Sequence, residues 1–163
     1  MICERRTFDF VRLPVCGLDS IDPAFVGSTA SAWPIVAERM RRIGLIDAET
    51  VTTIERLWWF GRLIANSDMH FGNVTFFVDG GLHLAPAYDM LPMAYAPLAG
   101  GEVPSRAFRP GLPLPAQRGT WLTSCAAAIE FWSTAQKDAR ITSRFRGVCR
   151  QNANQLRSLA ERV

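Results

Sequence analysis

The chain has 163 residues, 48% of them hydrophobic and 20% charged, with a formal charge of +3. Such values describe one globular unit able to bury a sizeable core, and they exclude a disordered or collagen-like chain. The basic residues are scattered rather than gathered into one cationic tract, so the chain is not expected to bind nucleic acid directly.

The four cysteines, Cys3, Cys16, Cys125 and Cys149, lack the C-x-x-C spacing of a zinc site and read as reduced thiols. "MICERRTFDF" is charged where a signal peptide needs an apolar run, and no apolar stretch approaches the roughly 18 residues of a membrane span. The expectation is a cytoplasmic protein with no membrane contact.

In chain order, residues 1–28 carry "FDFVRLPV" and "GLDSIDPAFVG", which predict a strand or two followed by a loop. Ile35, Val36, Met40 and Ile43 keep helical spacing, with Pro34 suited to a first turn and Gly44 to a stop. A second helix starts at Asp47, a candidate cap, and presents Val51, Ile54, Leu57, Trp58, Gly61 and Ile64 or Ala65 on one wide apolar face. Core packing accounts for Trp58, and its neighbour Trp59 points toward a different element.

That helix leads directly into "NSDMHFGN". "VTFFVDGGLHLAPAYD" follows, with two short apolar runs around Asp79-Gly80-Gly81, the signature of a hairpin. Residues 90–119 are rich in Pro and Gly without a sustained period and form a long loop, and two helices complete the chain. The fold class is therefore mainly α with a small β-hairpin, in a single domain.

Asp68 and Asn73 lie on the loop after the central helix, and Asp89 ends the second strand of the hairpin. Phosphoryl transfer uses those groups in that order. One carboxylate orients a hydroxyl and accepts its proton, and a carboxamide and a second carboxylate are hard oxygen ligands for Mg²⁺. The D-x-x-x-x-N spacing matches a kinase catalytic loop, although an Asx-capped loop explains that spacing when it is taken alone.

His70 has two readings, a histidine that holds the turn or one that faces phosphate. Gly72 supplies either a positive φ, a close backbone approach or a plain turn. Tyr88 reads as core, with contact to nucleotide as the lesser alternative. A metal-dependent hydrolase built on Asp68, His70 and Asp89 leaves Asn73 idle and has too few ligands for two metals.

"LIANSDMHFGN", "LAPAYDMLPM" and "LDSIDPAFVG…WPIVAERMRRIGLI" together resemble the HipA family of serine/threonine kinases, the toxins of bacterial toxin–antitoxin pairs, and within it the YjjJ-like branch. The resemblance implies a protein-kinase-like C-terminal lobe. In it Asp68 is the proton acceptor and Asn73 and Asp89 hold Mg²⁺. His70, Phe71, Gly72, Asn73, Tyr88 and Asp89 line the ATP site.

The resemblance also implies ATP as phosphoryl donor, a protein substrate and a helix-turn-helix antitoxin partner. The family's Gly-rich phosphate loop and nucleotide-pairing lysine have no counterpart before residue 17. Activity is accordingly expected to be weak or absent without a separate N-terminal lobe. The alternative is a catalytically inactive kinase-like module that binds an antitoxin or another partner.

Overall fold

The computed structural model describes residues 14–27, 32–102 and 106–163. The part of the expected N-terminal strands before residue 14 lies outside the described residues. The remainder forms β1 (Val15–Gly17), which pairs antiparallel with β2 (Thr75–Val78), and β2 pairs in turn with β3 (Leu82–Leu84). The hairpin is thus the larger part of a three-stranded sheet of order β1-β2-β3.

In the register, Phe76 stands opposite both Cys16 and Leu84. Strand alternation sends Phe76 into the core while its neighbour Phe77 stays half-exposed.

After β1 the expected loop is instead helical. Leu18–Ile21 form α1, and Asp22–Val26 continue as a single π-type turn that ends at Gly27, whose φ is +65°. Leu18 and Ile21 are buried, so an i, i+3 apolar pair overrides the Gly, Asp and Pro punctuation that reads as a loop.

α2 spans Trp33–Arg42. Its buried side is Trp33, Val36, Ala37 and Met40, whereas Ile35 and Ile43 are exposed, which corrects the predicted phase. The helix closes through Leu45 N–H to Met40 O at 2.9 Å and Gly44 N–H to Arg41 O at 3.0 Å, with Gly44 left-handed at φ +78°. This is a Schellman stop, in which glycine adopts the left-handed angle without a Cβ penalty.

α3 (Ala48–Leu63) is capped as predicted, with Thr50 N–H donating to Asp47 Oδ1 at 2.8 Å. It has two apolar sides rather than one. Ile54 joins a core made with the sheet, α1 and α2, whereas Trp59 and Leu63 join a second core made with α4 (Arg118–Lys137) and α5 (Ser143–Ala160). Trp59 is therefore core, and half-buried Trp58 packs against both clusters, its ring 5.5 Å from that of Trp33. Among the described residues between β3 and α4 the chain has only the short 3₁₀ turns Met93–Tyr95 and Pro115–Gln117, in keeping with the long loop predicted there.

Three carboxylates, Glu38, Asp47 and Asp138, have pKa values lowered in the folded state. Arg41 and Arg42 hold Glu38 down to about 2, Arg140 holds Asp138 down to about 2, and the Thr50 amide lowers Asp47. A depressed folded-state pKa adds stability above the unfolded value of about 4, and that stability is lost as the pH falls toward the folded value. The urea midpoint should accordingly drop between about pH 4 and pH 2, and Glu38→Gln with Asp138→Asn should flatten that drop; an unchanged slope in the double variant would disprove the assignment.

Candidate active site

The site is assembled where α3 stops. Asn66 N–H donates to Gly61 O at 2.9 Å and Ala65 N–H to Arg62 O at 3.3 Å, a second Schellman closure. The left-handed position here is held by Ala65 at φ +60° rather than by glycine. A non-glycine residue in that region costs about 1–2 kcal/mol, and the Ala65 carbonyl is held by Ala94 N–H at 3.0 Å.

From this stop the chain enters the Asp68 loop. The Asn66 side chain, buried within the turn, accepts from Asp68 N–H at 2.9 Å and donates through Nδ2 to Asp89 O at 3.3 Å. One carboxamide therefore fixes the main chain at both acidic positions. Asp68 and Asp89 themselves are exposed.

Asp89 does not end a strand, because β3 stops at Leu84 and Asp89 lies five residues further on in irregular backbone at φ +56°. Pro86, the proline among residues 85–89, has no N–H to give to a ladder, which is why the strand stops early.

His70 to Asn73 form a tight turn. Asn73 Oδ1 accepts from His70 N–H at 2.9 Å, and the His70 carbonyl accepts from Trp33 Nε1 at 3.2 Å and from Asn73 N–H at 3.2 Å. The His70 ring lies over Gly72, where an added Cβ would sit 2.9 Å from Nδ1. Gly72 is not among the positive-φ residues, so close approach rather than a special backbone angle explains it.

Phe71 is half-buried against the sheet-side core, and Asn73 is buried. Tyr88 is 43% exposed rather than core, and its hydroxyl donates to the Gly72 carbonyl. That bond joins the segment before Asp89 to the turn that holds Asn73.

Gly61 adds a packing link. A Cβ there would stand 2.6 Å from Met69 Sδ and 3.2 Å from Met90 Cε. The methionines that follow Asp68 and Asp89 thus share one notch in α3.

A family described as HipA-like C-terminal domain matches residues 15–160. The chain belongs to this family. It is also 37% identical over 153 residues to Toxin YjjJ of Escherichia coli (strain K12), an alignment that covers 93% of this chain and 34% of that protein. The chain thus spans about a third of the length of this curated relative. No solved structure matches it.

For this HipA-like domain, the fit to a hard cation can be judged from the donor set. Asn73 Oδ1 has one lone pair engaged by His70 N–H and a second open, and the exposed Asp89 carboxylate engages no side-chain partner among the described residues. A carboxamide oxygen and a carboxylate oxygen are hard donors of the type Mg²⁺ takes together with phosphate and water oxygens. No three His, Cys, Asp or Glu side chains gather into a metal-holding group among the described residues. The hydrolase reading through Asp68, His70 and Asp89 requires such a group.

Sequence reasoning missed Asn66, Gly61 and the role of Tyr88. "NSD" does carry a signal for the first, since an Asn two residues before Asp68 is the pattern of an Asx turn. Gly61 and Tyr88 act through partners distant in sequence, and no local pattern announces them.

Proposed function

We propose that this HipA-like toxin-family domain is the nucleotide- and metal-binding lobe of a serine/threonine protein kinase. The observation that carries the reading is the Asn66 carboxamide, bonded at once to the backbone of Asp68 and of Asp89. A lone Asx-capped loop has no need of the second bond. Phosphoryl transfer does, because it works by positioning charge, and the proton acceptor and the metal carboxylate must keep a fixed relation.

In this reading Asp68 orients the substrate hydroxyl and takes its proton. Asn73 and Asp89 would hold Mg²⁺, which supplies charge neutralisation at the transferring phosphoryl group. The turn from His70 to Asn73 sits beside the phosphates, and Tyr88 keeps that turn against Asp89. The hydroxyl acceptor is a protein side chain, by likeness to the family.

A separate N-terminal lobe that grips the phosphates from above, and a helix-turn-helix antitoxin, belong to the same proposal. Val15 and Phe25, both more than 60% exposed, offer apolar surface on the sheet side for such a contact. The same surface also favours the second reading, an inactive module that has kept the fold and only binds a partner.

Calorimetric titration of ATP with and without Mg²⁺ separates the two. Binding should require the metal and should weaken by about tenfold or more in Asp89→Asn, the loss of one anionic ligand to the ion. Metal-independent binding, or equal affinity in the variant, would overturn the kinase reading. Affinity is the appropriate readout, since this reading expects weak activity without a separate N-terminal lobe.

A further inference from the structure

Beside the Asp68 loop lies a cavity of about 290 Å³, separate from the face that carries Asn73 and Asp89. Its floor is the end of α3 and the start of the loop, from Ala65 through Ser67, and its far wall is the segment from Arg106 to Gly111. Three guanidinium groups, Arg62, Arg106 and Arg109, line it, and no carboxylate does. The nearest acid along the chain is Asp68, one residue beyond Ser67.

None of these arginines has an ion-pair partner among the described residues, in which Arg41, Arg42 and Arg140 account for the salt bridges. Three like charges around one concavity repel one another and are stabilised by an anion between them.

Part of the cavity is held by neighbouring side chains. Arg62 lies 5.7 Å from the centroid of the Trp58 ring and packs against Gly111, where an added Cβ would sit 3.4 Å from its Nη2. The far wall is anchored through carbonyls. Phe108 O accepts from Gln155 Nε2 at 3.2 Å and Gly111 O from Trp121 Nε1 at 3.0 Å. Guanidinium groups are planar, bidentate donors, the kind that recognises phosphate or carboxylate.

We propose that this cavity is an oxyanion subsite that receives a phosphoryl or carboxylate group carried by the substrate protein near its acceptor hydroxyl. The proposal rests on the kinase reading for its place beside Asp68, and it deepens that reading by naming a substrate feature. A protein side chain suits the cavity better than a nucleic-acid strand, for two reasons. Its volume holds one group rather than a run of phosphates. A larger cavity of about 620 Å³ also adjoins it across Tyr95, Arg106, Ala107 and Phe108 and offers an aromatic wall to the neighbouring residue of a peptide. Glu102 and Arg144 lie on that second cavity.

The test uses the full chain without ATP or metal, titrated calorimetrically with the tripeptides Gly-phosphoSer-Gly, Gly-Asp-Gly and Gly-Ser-Gly. The two anionic peptides should bind and the neutral one should not. Arg106→Ala and Arg109→Ala should each weaken binding by about tenfold or more, the loss of a charge-assisted hydrogen bond. Arg150→Ala, which removes an exposed charge on α5 away from the cavity, should change nothing. Thermal denaturation of each variant verifies that the exposed substitutions leave the fold intact.

Absence of binding, equal binding of the serine peptide, or an equal loss in Arg150→Ala would overturn the proposal. Tighter binding of a short DNA duplex through the same arginines would overturn it as well, by assigning the cavity to nucleic acid. A failure of peptide binding with intact Mg²⁺-dependent ATP binding would sink the subsite and leave the kinase reading standing, and the converse result would do the reverse.

Discussion

Trp132→Ala should lower the stability of the domain by about 3–5 kcal/mol, the range for removing a large aromatic side chain from a packed core. Trp132 is fully buried on α4 and makes edge-to-face contacts with Tyr95 and Phe108, ring centroids 6.1 Å apart in each case, and with Phe131 at 5.1 Å. Its indole Nε1 donates to Leu63 O at 3.0 Å, at the last turn of α3. Substitution removes both the packing and a partner of a buried carbonyl.

Trp132→Phe separates these contributions. It keeps part of the ring and loses the hydrogen bond, so its cost should be smaller, with about 1 kcal/mol from the bond and the remainder from the volume lost. Urea denaturation followed by circular dichroism gives both numbers. A cost below about 1 kcal/mol for Trp132→Ala would mean that this core collapses around the gap, and the contacts above would then carry little of the stability.

The consequence reaches the site. Tyr95, one of the contacted rings, belongs to the 3₁₀ turn whose Ala94 N–H holds the Ala65 carbonyl, and its hydroxyl accepts from buried Asn152 Nδ2 at 3.1 Å. Burial pushes the Tyr95 phenol up. The left-handed Ala65 thus draws its support from the second core, through α4 and α5. Strain at a functional turn persists only where packing over-determines it.

How much of this was legible in the sequence depended on the range of the interaction. The cap at Asp47, the hairpin around Asp79-Gly80-Gly81 and the four long helices follow from local patterns, and each appears near its expected place. The phase of α2 was misread because Ile35 and Ile43 are apolar yet exposed, and buried Trp33 set the face. The double-sided α3 was misread for a related reason: a single stripe was assumed where two cores meet one helix. At the site, the order of Asp68, Asn73 and Asp89 was readable, whereas their coupling was not. Asp68 and Asp89 are 21 residues apart, and what joins them is the side chain of Asn66, a residue whose local pattern announces only a turn.

That coupling is open to direct test. Asn66→Ala removes the acceptor for Asp68 N–H and the donor to Asp89 O, and should cost about 2 kcal/mol of stability, near 1 kcal/mol for each bond. The Asp89 carbonyl keeps Leu91 N–H at 3.1 Å, so the loss on that side falls on placement more than on satisfaction. Asn66→Asp discriminates further. A carboxylate still accepts from Asp68 N–H and preserves the turn, but it has no donor for Asp89 O and turns an anion toward that carbonyl.

If the bond to Asp89 positions the metal carboxylate, both variants should lose Mg²⁺-dependent ATP affinity, although only the alanine variant also loses the turn. Amide exchange at Asp68 provides the separate readout of the turn, slow in the unaltered chain and in Asn66→Asp and fast in Asn66→Ala. ATP affinity unchanged in Asn66→Asp would show that the Asp68 turn alone is enough. The bridge would then be a structural feature of the loop rather than part of the nucleotide site.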